Sequence, residues 1–106
     1  MTPGLSPTTI LNQVARSLVA KERYATVEEA LWELALSAVR GKIVSYRRRI
    51  KKLENKYGMD IEQFSTQLNN RANPNEEDDW LAWRSAQNML VDWEKTYQEM
   101  LHARPH

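Results

Sequence analysis

Apolar residues recur along this chain at steps of three and four, a pattern that predicts helices from end to end. The longest seam reads Trp32, Leu36, Val39, Ile43, Tyr46, Ile50, Leu53 and Tyr57, an unbroken alternation of four and three. It predicts one helix from Thr26 to about Tyr57. Thr26-Val27-Glu28-Glu29 supplies a capping box at its start, and Gly58 offers a stop. The standard helical rise makes this a rod of roughly 46 Å, too long to lie hidden inside a globule of this size. A second seam, Trp83, Ala86, Leu90, Trp93, Tyr97 and Met100, predicts a helix from about Asn75 to His102. Two shorter stripes complete the pattern. Ile10, Leu11, Val14 and Leu18 follow Ser6-Pro7, a helix start, and predict a helix over 7–20. Ile61, Phe64 and Leu68 follow the capping residue Asp60 and predict a short helix near 60–70.

The asparagine-rich run Asn69 to Asn75, with Pro74 inside it, is the clearest break. Two rods of matched length joined by a compact connector favour an antiparallel helical hairpin. The expected fold is therefore all-α: a long antiparallel helical hairpin with a short connecting helix and an N-terminal helix, dimerising into a helical bundle. Residues 1–25 are read as an N-terminal arm, with 1–6 a flexible lead, and residues 26–106 as the hairpin domain. The arm's helix is rich in Thr, Asn, Gln and Ser, so its own propensity is low and docking is expected to order it.

Composition narrows the chemistry mainly by exclusion. The 106 residues suit one domain, with 42% hydrophobic and 27% charged residues typical of a globular chain. There are no cysteines, which removes disulfides, thiolate metal sites and a cysteine nucleophile and fits a cytoplasmic protein. No apolar run approaches a membrane span, and no basic stretch followed by an apolar core marks a signal peptide. The two histidines, His102 and His106, sit in the terminal segment without a positioned partner. Glu76-Glu77-Asp78-Asp79 lacks the glycine turn and ligand spacing of a calcium loop and reads as a helix-start cluster. No catalytic, cofactor or metal site is expected, and the chain reads as a non-enzyme.

Charge is balanced in total, at net +1, but segregated along the chain. Positions 40 to 56 hold eight bases against Glu54, a net of +7. Positions 75 to 101 hold seven acids against Arg84 and Lys95, a net of −5. In a hairpin the basic end of the first rod falls beside the acidic start of the second, so mutual pairing is the expected fate of much of the run Tyr46 to Lys52. Arg47 and Arg49 flank the seam. Arg48, Lys51 and Lys52 point outward and are the candidate phosphate contacts, although nucleic acid is not the favoured partner.

A second apolar row occupies the first half of the long helix: Leu31, Leu34 and Ala38, then Gly41 and Ser45. A mid-helix glycine costs about 1 kcal/mol relative to alanine, and a close helix crossing at Gly41 would account for it. Three covers suit this row: the arm's own helix, a second copy, or another protein. Trp80 lies off the main seam of the last helix, and tryptophan is favoured at interface hot spots. Leu31, Leu34, Ala38, Gly41 and Trp80 are the candidate partner-interface residues, and a homodimer is expected.

Lys56-Tyr57-Gly58-Met59-Asp60-Ile61-Glu62-Gln63-Phe64 closes the basic helix, and Glu76-Glu77-Asp78-Asp79-Trp80-Leu81-Ala82-Trp83 opens the acidic one. This arrangement resembles small prokaryotic antitoxins of toxin–antitoxin pairs, including TumA-like partners of TumE-like toxins. The likeness spans roughly Thr26 to Leu101, with Ile61 where the pattern usually carries an acid. It implies a binder that neutralises a cognate toxin, often a ribonuclease, by covering its active surface. A nucleic-acid-binding regulator and a structural homo-oligomeric assembly protein are the alternative readings.

Overall fold

The computed structural model describes residues 6–21, 24–71 and 73–104. Four helices follow in order: α1 (Pro7–Ala20), α2 (Val27–Tyr57), α3 (Ile61–Leu68) and α4 (Pro74–Ala103). No strand occurs among the described residues, and the chain is all-α. The lead before Ser6 and the terminal His106 lie outside the described residues.

Each helix begins where a side chain satisfies its free backbone donors. Ser6 Oγ accepts from Thr9 N at 3.1 Å, and Thr26 Oγ1 from Glu29 N at 3.1 Å. Only the threonine half of the expected capping box at Thr26 forms. The reciprocal box sits instead at α3, where Asp60 Oδ1 accepts from Gln63 N at 2.8 Å and Gln63 Oε1 from Asp60 N at 3.1 Å. Asn73, rather than a later residue, caps α4, and Pro74 takes the first helical position. Gly58 ends α2 at φ 65, a left-handed conformation that glycine adopts without strain.

Contacts between α2 and α4 climb one helix as they descend the other. Glu33 meets Arg104, Arg40 meets Tyr97, Arg47 meets Glu94 and Lys56 meets Asp79. The two rods therefore lie side by side in opposite directions. Leu36, Val39 and Ile43 are buried on α2, with Trp83 and Ala86 on α4. At the turn end, α3 drives Phe64 against Trp83 and Ile61 beside them, with Ile50, Leu53, Tyr57 and Trp80 packed around. Phe64 and Tyr57 rings sit 4.2 Å apart between centroids, and Phe64 and Trp83 5.6 Å. Aromatic pairs at such separations add to area burial.

α1 covers the opposite side of α2 from α4. Ala30 is fully buried yet lies, with Leu34, roughly 160° around the helix from the α4 seam. The helix packed there is α1, whose only buried residue is Ala15. α1 thus docks on α2, but not through its whole apolar stripe. Leu18 is half-buried, while Ile10, Leu11 and Val14 remain 46%, 48% and 42% exposed. The fully buried positions of α1 and of this side of α2 are both alanines, Ala15 and Ala30, small side chains that suit close helix packing.

The result is extended. The radius of gyration is 19.9 Å, against about 13 Å for a compact domain of this length. The chain exposes 7945 Å², about 1,800 Å² more than a compact monomer of its mass.

Candidate interaction surface

The residues singled out by their pattern divide into three groups. Leu31 and Leu34 are half-buried in the row that α1 shields. Ala38 and Gly41 continue that row in the open. A Cβ built at Gly41 meets nothing within 4 Å, so the chain makes no helix crossing there. The expected intramolecular reason for this glycine does not hold, because α1 covers the row only toward the start of α2. Trp80 turns inward instead of presenting a free face. It packs on the Phe64–Trp83 cluster, and its Nε1 donates to Ser65 Oγ at 2.6 Å. Ser65 Oγ in turn donates to the Ile61 carbonyl at 2.7 Å. Arg84 lies 5.7 Å from the Trp80 ring centroid. Trp80 is thereby a joint between α3 and α4, a role that depends on tertiary geometry.

The basic run is paired only at its edges. Arg47 Nη2 reaches Glu94 Oε1 at 2.9 Å, and Lys56 Nζ reaches Asp79 Oδ2 at 2.6 Å. Glu76 is held by Arg71 of the connector at 3.0 Å. Arg48, Lys51 and Lys52 are exposed and make no ion pair among the described residues. The expected pairing of the run with Glu76 to Asp79 therefore fails for most of it. Lys52 borders a cleft with Asp79, Ala82 and Ala86 of α4, but Asp79 is already taken by Lys56. Val44, at 44% exposure, lies in a shallow groove bordered by Arg47, Arg48 and Lys51, with Leu90 contributed by α4.

The acidic helix shows the converse. Asp79 is committed to the hairpin: Lys56 and the Tyr57 hydroxyl both bond the same carboxylate oxygen. The Lys56 hydrogen bond, aided by that of Tyr57, holds the Asp79 carboxyl below its ordinary range. The bond to Asp79 raises the Lys56 ammonium, while burial and then the bond to Asp79 raise the Tyr57 phenol. Glu77, Asp78, Asp92 and Glu99, by contrast, are exposed and form no ion pair among the described residues. Spacing places Glu77, Leu81, Asn88, Asp92, Lys95 and Glu99 on one outward face of α4, with Val91 at its edge. Leu81 and Val91, at 60% and 63% exposure, are the most open large apolar residues described. Both lie off the seam at 83, 86, 90 and 93, as Trp80 and Met89 do, and of these four they are the two that stay exposed.

His102 is exposed in the last turn of α4, away from any acid-rich pocket. No group of three or more His, Cys, Asp or Glu among the described residues is placed to hold a metal. No helix of the described residues is long and apolar enough to cross a membrane. Comparison with protein-family models, curated proteins and solved structures gives no match to this chain.

Proposed function

We propose that this chain is a non-catalytic protein-binding module of the antitoxin kind, working in the cytoplasm by covering the surface of a cognate, ribonuclease-like toxin. The observation that carries the reading is the outward face of α4. Leu81 is open there, with Val91 at its edge, beside Glu77, Asp92 and Glu99, which have no ion pair among the described residues and outnumber Lys95 on that face. Apolar anchors within a charged surround are the anatomy of a protein interface, and unpaired acids favour a basic partner. A nuclease groove, built to hold phosphates, has that sign. The resemblance of the segments 56–64 and 76–83 to TumA-like antitoxins points the same way.

Co-expression with the product of the neighbouring reading frame, followed by affinity capture and a growth assay, tests this. The expected result is a stable complex and relief of toxicity. A neighbour that neither binds nor harms growth contradicts it.

A second reading rests on Arg48, Lys51 and Lys52, which the hairpin leaves unpaired. It makes the basic face of α2 a phosphate-binding strip, a role compatible with an antitoxin that also acts at nucleic acid. Replacing all three by alanine should lower the salt slope of binding to random duplex by about 2 to 3. A slope unchanged by the replacement removes this reading.

A further inference from the structure

We propose that the outward flank of α1 is a homodimer contact, with Ile10, Leu11 and Val14 of two copies packed on one another. These three side chains are 42–48% exposed on the side of α1 that α2 leaves open, and half-buried Leu18 extends the strip by one turn. α1 is intrinsically weak: Thr8, Thr9, Asn12 and Ser17 all disfavour a helix interior. In one chain it is anchored by a single fully buried side chain, Ala15. A second copy buries the flank and stabilises the helix at once.

Charge selects the occupant. Within Pro7–Ala20 the only charged residue is Arg16. A two-fold contact sets a patch against itself, so a patch of one sign repels its own copy. That repulsion applies to the basic half of α2 and, in net, to the outward face of α4, where Glu77, Asp92 and Glu99 outnumber Lys95. The α1 flank meets its copy without it. A partner with a basic surface is matched by α4 and finds no acid on α1. The area permits both contacts: the excess surface of about 1,800 Å² exceeds the roughly 800 Å² that each partner contributes to a standard interface. This contact uses residues distinct from Leu81 and Val91, so it stands or falls separately from partner capture.

Sedimentation velocity on the full chain at micromolar concentration tests it, with Ile10→Lys/Val14→Lys on α1 and Leu81→Asp/Val91→Asp on α4 as separate arms. The wild type and the α4 variant should sediment at twice the 12.4 kDa chain mass. The α1 variant should sediment as a monomer with unchanged helical circular dichroism. Should lysines unfold α1, Ile10→Ala/Val14→Ala keeps its helix propensity and should still weaken the dimer at least about tenfold. A monomeric wild type, a dimer that survives the α1 substitutions, or one dissolved by the α4 pair alone overturns the proposal.

Discussion

The Tyr57 hydroxyl donates to Asp79 Oδ2, the same oxygen that accepts from the neighbouring Lys56 ammonium. Two consecutive residues at the end of α2 thus grip one carboxylate in the first turns of α4. The grip closes the turn end of the two rods above the Phe64–Trp83 cluster. It also fixes how the junction responds to pH. Asp79 titrates below its ordinary 3.8 in the folded chain, so its contribution is complete above that value and fades as pH falls through the depressed one. Lys56 titrates above 10.5, so its contribution is complete below that value and is lost as pH rises through the raised one. Urea unfolding of wild type and Asp79→Asn should therefore differ most between these limits. The difference should shrink below pH 3.8. An equal difference at pH 2 and 7 would contradict the assignment.

The two described glycines should respond to alanine with opposite signs. Gly58 sits at φ 65, where a Cβ is strained. Gly58→Ala should cost about 1 kcal/mol of stability. Gly41 lies mid-helix with nothing within 4 Å of the added carbon. Gly41→Ala should gain up to about 1 kcal/mol from helix propensity. Thermal melts of the two variants, compared with wild type, read the signs directly. A destabilised Gly41→Ala would reveal a close neighbour that one chain does not supply.

The buried aromatic pair should dominate stability. Trp83 and Phe64 are both fully buried, and each is the centre of the other's packing. Phe64→Ala or Trp83→Ala should cost about 3–5 kcal/mol. The Trp83 indole N–H is buried without a hydrogen-bond partner. Trp83→Phe removes that orphaned donor along with some volume, so it should cost clearly less than Trp83→Ala. Denaturant midpoints of the three variants provide the check.

Local chemistry made the helix starts legible: Ser6, Thr26 and Asp60 act over one turn, and short-range bonds need no knowledge of the fold. The heptad seams were legible for the same reason, since Leu36, Val39, Ile43, Trp83 and Ala86 are buried as their spacing requires. Tertiary choices were not. α1 buries Ala15 rather than its large apolar residues, which no stripe of large residues announces. Trp80 looked free because it lies off the seam, yet α3 folds back to meet it through Ser65. The fate of the basic run depended on direction around the helix. Net charge foretold attraction between the rods, but among the described bases of that run only Arg47 and Lys56 pair with acids of α4.

The central claim is that the outward face of α4 captures a protein partner. Titration calorimetry of the neighbouring reading frame's product into the wild-type chain and into Leu81→Asp/Val91→Asp tests it most directly. Both residues are open in the single chain, so the double variant should keep its helical content. Tight binding to the wild type is expected, with affinity at least about thirtyfold weaker for the variant, the loss of one hot spot or more. Equal affinity for the two, or no binding to the wild type, would contradict it.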